Sequence, residues 1–334
     1  MKINKSPLVS IIVPNYNYAR FLEARITSIL NQTYTNFELI LLDDASTDDS
    51  VAVLNEYKNH PKVTQLVVNE KNTGSPFQQW MKGVLLAKGE WIWIAEADDL
   101  CEPTFLEECM HYIGNNEHVA VCNVGSVCID VDGNNVEKEV NYWLKKESEV
   151  NAIIFDGKKY IEHVLYWKNC IPNASGVIFS KACVLNLANK EWLDYRYCGD
   201  WLFWVEMAMQ GDVIQVYKYL NYFRQHNSQT IKWKINGEAL SETFKISLYI
   251  EKLFPCINAH KRKQKHGRDA RSMRHVKTKL VKENLGKEYR SVFHSSNVSD
   301  YLYFKICRHL RFLPFVLTEE KDREIAVNYS RVLH

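Results

Sequence analysis

The chain has 334 residues, of which 46% are hydrophobic and 12% aromatic, and its 42 basic residues nearly balance 40 acidic ones. A chain of this length and composition buries a full α/β core with a smaller second substructure, so we expect a globular protein. Its apolar runs are far shorter than the roughly 20 residues of a membrane-spanning helix, so we expect no transmembrane segment.

Two further features predict the cell compartment. The amino-terminal residues 1–7 are polar and lack the apolar segment of a secretory signal. Nine cysteines are scattered without CxxC pairs, which favours reduced thiols over disulfides in a chain of this size. We therefore expect a cytoplasmic protein.

The first hundred residues alternate β-branched runs with amphipathic stretches, which is typical of βαβ units around a largely parallel sheet. We predict strands at residues 8–13, 37–42, 63–68 and 91–95, and helices at residues 20–31, 46–57 and 77–87. Ser46 and Asp49 have the spacing of a capping box at the start of the second helix. Ligands of such sheets bind beyond the carboxyl ends of the strands.

After about residue 103 the pattern changes to that of an α+β lobe. We predict a helix at residues 103–114, a strand at 119–129, a polar connection at 130–149 and a strand at 176–179. An aromatic-rich helix at residues 200–209 precedes short strands near 213–217 and 222. A long helix follows from residue 236.

Two carboxylates, Asp43 and Asp44, follow the second predicted strand. A carboxylate at that place can accept a hydrogen bond from a base N–H or a ribose hydroxyl. Asp43 is equally well interpreted as a cap of the next helix, whereas the functional interpretation is favoured for Asp44.

Three acids, Glu96, Asp98 and Asp99, follow the fourth predicted strand within four positions. Acids this close repel each other unless a cation lies among them. Mg²⁺ or Mn²⁺ suits such oxygen ligands together with substrate phosphates. By itself, however, the cluster is also compatible with a solvated turn.

Residues 9–17, the acidic run at 43–48 and the triplet at 96–98 together resemble the inverting family 2 glycosyltransferases of the GT-A fold over roughly the first 100 residues. The resemblance implies that Pro14 and Tyr16 line a nucleoside pocket and that Asp44 meets the uracil.

The same resemblance implies that Glu96 faces the ribose and Asp98 binds the metal. Glu96 stands where the family usually has Asp, and Asp99 adjoins the triplet, so the identity of the ligating acid stays open. Asn72 and Gly74 resemble the family's Asn-x-Gly segment, which implies a place on the donor side of the pocket.

Asp200 is an isolated acid before the aromatic-rich helix and is similar to the family's Glu-Asp motif, in which the Asp is the general base. Gly199 replaces the usual Glu. A carboxylate that takes the proton of an attacking hydroxyl makes in-line displacement possible. The alternative is that Asp200 only caps its helix.

Arg224 and His226 resemble the Arg-x-His segment that follows the catalytic domain in many relatives. The resemblance implies that Arg224 neutralises the leaving phosphates and that His226 contacts the metal or the diphosphate. A purely structural histidine is an equally good interpretation.

The resemblance implies an α/β fold of GT-A type, with a Rossmann-like mixed central sheet flanked by helices and a helical C-terminal extension. We divide the chain into a nucleotide-sugar half at 1–102, an acceptor and catalytic-base half at 103–232, and the extension at 233–334. The implied function is inverting transfer from a UDP-sugar to a saccharide or lipid-linked acceptor in cell-surface polysaccharide synthesis.

Residues 255–290 hold 12 Lys or Arg against 3 acids, a net charge of +9. The segment has no nucleic-acid-binding signature, so we expect an anionic membrane surface, at the inner face of the membrane, or simply a solvated helix. Two other functions stay open: a nucleotidyltransferase, although residues 14–17 lack the Gly-rich basic loop of that class, and a non-catalytic membrane-surface protein.

Overall fold

The structure is a computed structural model that describes residues 6–144, 149–226, 237–313 and 316–333. Its first half contains four parallel strands, β1 (Val9–Asn15), β2 (Phe37–Asp43), β3 (Val63–Val68) and β4 (Trp91–Ile94). They lie in the order β3-β2-β1-β4. The intervening helices are α1 (Ala19–Leu30), α2 (Ser50–Glu56) and α3 (Pro76–Leu86). The predicted βαβ pattern is confirmed.

The second half extends the same sheet. Its strands are β5 (Leu100–Cys101), β6 (Val119–Ile129), β7 (Ala152–Phe155), β8 (Val177–Ser180) and β9 (Asp212–Arg224). Its helices are α4 (Phe105–Gly114), α5 (Gly157–Tyr160), α6 (Lys181–Leu185) and α7 (Gly199–Gln210), with a π-helical turn at Ile161–Leu165 and 3₁₀ turns at Ala174–Gly176 and Glu191–Leu193. Strand β8 pairs antiparallel with β4 and β6, whereas β6 pairs parallel with β9. The mixed central sheet is confirmed.

The C-terminal region is mostly helical, as expected. It contains α8 (Glu238–Leu253), α9 (Ala259–Met273), α10 (Lys279–Phe293), α11 (Asn297–His309) and α12 (Glu319–Val327). A strand that the sequence analysis did not predict, β10 (Ser330–Leu333), then pairs antiparallel with β7 at the edge of the sheet. The proposed boundary between residues 232 and 233 lies outside the described residues.

The apolar runs of β1 and β2 are buried along their whole length because helices cover both faces of the sheet. Helix α3 approaches β1 especially closely at Gly83. A Cβ atom there would lie 2.4 Å from Cγ2 of Ile12, so only glycine fits. This packing sets the distance between α3 and the strand ends.

Two local predictions were wrong. Helix α2 begins at Ser50 rather than Ser46, because the Ser46 hydroxyl donates to Asp43 and accepts the backbone N–H of Asn17. The acidic run therefore forms a loop. The two short strands predicted near residues 213–217 and 222 are one strand, β9, which follows β6 through register shifts near Gly125.

The basic segment 255–290 is only partly a surface feature. Lys261 and Lys265 are buried, and their ammonium groups pair with Asp322 and Asp269 at 2.5 and 2.6 Å. Some of the remaining basic side chains are exposed: Lys263, Arg271, Arg274, Lys277, Lys279, Lys282, Lys287 and Arg290. No helix in the described part of the chain is both long and apolar enough to cross a membrane.

Asp322 attaches α12 to the rest of the protein. Its buried carboxylate accepts hydrogen bonds from the Trp167 indole at 2.8 Å and the Lys261 ammonium, and it lies 2.9 Å from Nδ1 of His163. Replacing Asp322 by Ala leaves the Lys261 charge buried without this partner. We expect the free energy of unfolding to fall by about 3–5 kcal/mol, measured by urea denaturation.

Glu324→Ala is the matched control, because Glu324 lies on the same helix and is exposed. Its effect should stay within about 0.5 kcal/mol. Equal stabilities of the two variants would contradict the role of Asp322 as an anchor.

Candidate active site

The loops that follow β1, β2 and β4 meet at one edge of the sheet, because these strands are parallel neighbours. In the register of the pairs, Asn15 lies opposite Asp43 and Ile12 opposite Ile94. The acids predicted after β2 and β4 therefore flank the end of β1. This arrangement creates one candidate site from three loops.

Asp43 shapes the first two loops from inside the protein. Its carboxylate accepts the Asn15 amide at 2.7 Å and both the backbone N–H and the hydroxyl of Ser46. These bonds hold Ala45 in a left-handed conformation with φ of 61°. Asp43 thus orders this loop but does not cap α2, because Asp49 occupies the N-cap position of that helix.

Pro14 and Tyr16 lie at the end of β1 beside this turn. Pro14 is the buried penultimate residue of the strand, opposite Leu42. Tyr16 follows the strand and is 45% exposed. An exposed aromatic ring at a strand end offers a face on which a base can stack.

Asp44 connects the β2 loop to the segment before α3. Its carboxylate accepts hydrogen bonds from the Asn69 amide at 2.6 Å, the Gln79 amide at 2.8 Å, and the backbone and hydroxyl of Thr73 at 3.0 and 2.7 Å. Because its oxygens already accept these donors, a base can meet Asp44 only if one of them moves. Asn69 and Thr73 were not predicted as site residues from the sequence.

Asn72 and Gly74 lie in the segment that Asp44 holds. The Asn72 amide donates to the Asp44 carbonyl at 3.0 Å, and its oxygen accepts the Gly74 N–H at 2.6 Å. Gly74 has φ of 73°, which favours glycine. The predicted donor-side segment therefore lies directly beside the predicted base contact.

Residues 95–99, here named the acid loop, follow β4. Glu96 accepts a hydrogen bond from the Trp80 indole at 2.9 Å, and its backbone N–H donates to the Ser175 hydroxyl at 3.0 Å. Burial, together with the nearby Asp98 charge, raises the pKa of Glu96 to about 8. Glu96 is therefore held at the site, and burial together with the Asp98 charge disfavours its ionised form.

Asp99 points into the protein and is 2% exposed. Its oxygens accept the Arg224 backbone N–H and the Asn173 amide, each at 2.8 Å. Burial, with a contribution from Asp98, raises the pKa of Asp99 to about 7. Asp99 thus connects the acid loop to β9 and to the 3₁₀ turn at Ala174–Gly176.

Asp98 instead faces the more open side of the acid loop, next to His226. Its Oδ2 lies 2.6 Å from Nε2 of His226, and both side chains keep some exposure. The His226 ring packs against Tyr18 and Phe21, with ring centroids 5.6 and 5.8 Å away. The structure therefore brings together two of the three predicted metal ligands and separates Asp99 from them.

Asp98 and His226 fit a site for a divalent cation whose remaining ligands come from a bound substrate. Asp98 supplies a carboxylate and His226 an imidazole. Burial raises the pKa of Glu96 and of Asp99, and the Asp98 charge raises both further, as a negative charge without a cation beside it does. Within the described ranges, no group of three or more His, Cys, Asp or Glu side chains is arranged to hold a metal by itself. Phosphate oxygens of a substrate would complete the coordination, as is usual for Mg²⁺ sites.

The Arg224 guanidinium is hydrogen-bonded to backbone carbonyls. It donates at 2.6 Å to the carbonyls of both Asp98 and Asp130, and it lies over the Phe21 ring with the Cζ atom 4.6 Å from the centroid. Arg224 therefore positions the acid loop, and this geometry supports a role in shaping the metal site more strongly than direct contact with phosphate.

Arg25 is a further charged residue of this region that the sequence analysis did not identify. It is fully buried, and its Cζ lies 5.0 Å from the Trp93 ring centroid. Its positive charge lowers the pKa of Glu96 and Asp99 and so offsets part of their burial. The sequence did contain a signal for it, because Arg25 occupies a position on the apolar face of the amphipathic helix α1.

Asp200 lies in the first turn of α7. Its oxygens accept the Asn169 amide and the Trp201 backbone N–H, each at 2.8 Å. Cys198, not Asp200, occupies the N-cap position, so Asp200 is not the cap of its helix. Burial raises the pKa of Asp200 to about 6, which is a suitable value for a general base near neutral pH.

The missing Glu at position 199 has a steric explanation. A Cβ on Gly199 would lie 2.4 Å from the Phe77 ring and 2.5 Å from the Trp192 carbonyl, so a longer side chain does not fit. Phe77 also packs edge-on against Trp80, whose indole binds Glu96. An aromatic cluster thus connects the start of α7 to the acid loop.

The fold and these residues agree with comparisons to known proteins. The family model described as glycosyl transferase family 2 matches residues 10–179. A glycosyltransferase of Haemophilus influenzae is 28% identical over 232 residues, covering 67% of each chain. The chondroitin synthase of Escherichia coli is 33% identical over 154 residues, which are 46% of this chain but only 22% of that protein.

Solved structures of GT-A glycosyltransferases share the fold at low sequence identity. S. aureus TarS 1-349 in complex with UDP-GlcNAc has a TM-score of 0.58 at 16% identity, covering 90% of this chain and 91% of that chain. The mannosyltransferase PcManGT of Pyrobaculum calidifontis, in complex with GDP-Man and Mn²⁺, has a TM-score of 0.55 at 15% identity, covering 96% and 85%. With a family match over half its length and a fold of GT-A type, the chain belongs to glycosyl transferase family 2.

Proposed function

We propose that this glycosyltransferase moves a sugar from a UDP-sugar to a hydroxyl of a saccharide or lipid-linked acceptor with inversion at the anomeric carbon. The observation that carries the proposal is Asp200, a carboxylate with a raised pKa that an aromatic cluster connects to the acid loop. A single displacement needs two parts: a site that holds the donor, here the acid loop, and a separate base that takes the proton of the acceptor, here Asp200.

The donor side is assigned to residues 1–102. Tyr16 and Pro14 are assigned to the nucleotide base of the donor. Asp44 orders the segment that contains Asn72 and Gly74, and this segment is assigned to contact the donor as well. Residues 103–232 are assigned to the acceptor and residues 233–334 to the extension. Glu96 is assigned to the ribose.

Asp98 and His226 would hold a divalent cation, Mn²⁺ or Mg²⁺, with Arg224 and Asp99 as positioning residues. When bound, such a cation stabilises the negative charge that develops on the departing diphosphate. The Mn²⁺ in the mannosyltransferase complex supports this assignment.

The proposed reaction is a single in-line displacement. Asp200 accepts the proton of the acceptor hydroxyl while that oxygen forms a bond to the anomeric carbon. The bond between the anomeric carbon and the diphosphate oxygen breaks, and its electrons leave with the nucleoside diphosphate. Attack from the face opposite the leaving group inverts the configuration.

Names of similar proteins support the substrate class. The relatives include chondroitin synthases and a hyaluronan synthase, and S. aureus TarS was solved with UDP-GlcNAc. We therefore propose a UDP-hexose or UDP-hexosamine donor and a role in cell-surface polysaccharide synthesis, carried out in the cytoplasm at the inner face of the membrane.

A thermal-shift panel of UDP, GDP, CDP and TDP, each with and without Mn²⁺, tests the donor assignment. We expect UDP with Mn²⁺ to raise the melting temperature most, because a ligand at 100 times its dissociation constant adds about 2.7 kcal/mol to stability. Stabilisation by another nucleotide instead would assign the donor to that nucleotide. The absence of stabilisation by any of the four would overturn the proposed function.

A further inference from the structure

Helix α11 packs one face against α9. A Cβ atom on Gly267 would lie 2.1 Å from the Asp300 carbonyl oxygen, so the two helices cross in close contact. Asp300 and Cys307 are buried on this face, and the Tyr289 hydroxyl donates to Asp300 at 3.0 Å. The orientation of α11 is therefore determined by its buried side.

The opposite face of α11 carries an apolar stripe that remains exposed. Val298, Leu302 and Ile306 recur every four residues, which places them on one face of the helix, and they are 61%, 51% and 58% exposed. Phe312 follows the end of the helix and is 73% exposed. Large apolar side chains grouped on a surface usually mark an interaction site.

Positive charge lies next to this stripe. An open hollow of about 690 Å³ is lined by two apolar residues, Ile306 and Leu310, and by four basic ones: Lys305, Arg308, His309 and Arg311. Arg308 and Arg311 also line a second hollow of about 830 Å³, in which Glu319, Glu320 and Glu324 offset part of the positive charge. A helix with this composition has the properties of one that lies in a membrane interface, with apolar side chains among the acyl chains and cations at the headgroups.

We infer that the stripe of Val298, Leu302, Ile306 and Phe312, with its flanking cations Lys305, Arg308 and Arg311, docks the protein on an anionic phospholipid bilayer. This surface is here named the α11 face. The charge complementarity selects anionic lipid as the occupant, since each basic residue near such a surface adds to attraction within a Debye length. The membrane contact predicted at residues 255–290 would then lie at residues 298–312 instead.

Sedimentation with lipid vesicles tests the α11 face in the full-length protein. Vesicles of 30% phosphatidylglycerol in phosphatidylcholine are compared with pure phosphatidylcholine at 0.1 M salt. We expect the wild type to bind the anionic vesicles. The variant L302Q/I306Q/F312S should bind at least about tenfold more weakly, because it lacks the exposed apolar side chains that the bilayer would bury. The variant K305Q/R308Q/R311Q should lose binding similarly, and 0.5 M salt should weaken binding by the wild type.

Replacing three exposed lysines of the basic segment is the matched control. K277Q/K279Q/K282Q removes the same number of charges as the second variant, yet it should keep vesicle binding within about threefold of the wild type. Circular dichroism and thermal melting establish that each variant is folded.

Three results would overturn the inference. Wild-type protein that does not bind the anionic vesicles excludes the membrane surface, and equal binding by the apolar variant excludes the stripe. A wild type that self-associates in sedimentation velocity, together with a monomeric L302Q/I306Q/F312S variant, would assign the α11 face to a second copy of the chain. The inference rests on the membrane location in the proposed function. None of these outcomes depends on sugar transfer, so the proposed transferase activity is tested separately.

Discussion

Replacing Asp200 by Asn is expected to lower kcat by about 10²–10⁴-fold while leaving the dissociation constant of the donor within about twofold. The amide keeps the shape of the side chain but cannot accept the proton of the acceptor hydroxyl. Steady-state kinetics measure the first effect, and calorimetric titration with a UDP-sugar such as UDP-GlcNAc in the presence of Mn²⁺ measures the second. Equal losses in both would contradict the assignment of Asp200 as the base.

The pH dependence supplies an independent readout. Because burial raises the pKa of Asp200 to about 6, the carboxylate is the major form above that pH, and kcat should fall as the pH decreases through about 6. The hydrogen bond from Asn169 lowers the pKa of Asp200. Asn169→Ala should therefore shift the acid limb of the profile to higher pH, which a merely structural role of Asn169 would not do.

Asp194→Asn is the matched control for Asp200→Asn. Asp194 is an exposed acid six residues earlier in the chain, and its replacement makes the same chemical change outside the site. Its kcat and its pH profile should equal those of the wild type. A loss in Asp194→Asn as large as that in Asp200→Asn would show that the assay reports general damage to the protein.

Asp98→Asn is expected to abolish the stabilisation that Mn²⁺ adds to nucleotide binding and to lower kcat/KM by about 10²–10³-fold. The reason is that metal stabilisation of a leaving group supplies several kcal/mol, and each 1.4 kcal/mol is a factor of ten in rate. Thermal shift with UDP and Mn²⁺ measures binding, and initial rates at low substrate measure kcat/KM.

Asp99→Asn separates the two adjacent acids. Asp99 accepts hydrogen bonds from Asn173 and the Arg224 backbone inside the protein, so its replacement should change the stability of the ligand-free protein more than its affinity for Mn²⁺. His226→Ala, which removes the neighbour of Asp98, should weaken Mn²⁺ binding without a comparable loss of stability. If Asp99→Asn alone removed the Mn²⁺ effect, Asp99 rather than Asp98 would be the ligand.

Much of the fold could be predicted because its signals are local. The strands β3 and β6 have the predicted bounds, and β1, β2 and β4 differ by one or two residues at their ends. Apolar runs between turn residues determine such strands within a short window of sequence. The strand β10 was missed because its pairing with β7 depends on residues about 180 positions away.

The candidate site was predicted as a set of residues but not as a set of contacts. The position of Asp44, Asp98 and Asp200 at strand or helix ends follows from the local pattern. The partners that orient them are distant in sequence: Thr73 for Asp44, His226 for Asp98, and Asn169 for Asp200.

The sequence by itself determined the βαβ arrangement, the two acid-bearing strand ends and the family resemblance, since each depends on residues close together in the chain. Only the tertiary structure decided that Asp98 pairs with His226 while Asp99 turns inwards. It also decided that Lys265 of the basic segment is buried. The physical reason is that burial and hydrogen-bond partners depend on which distant elements pack together, and no local pattern contains that information.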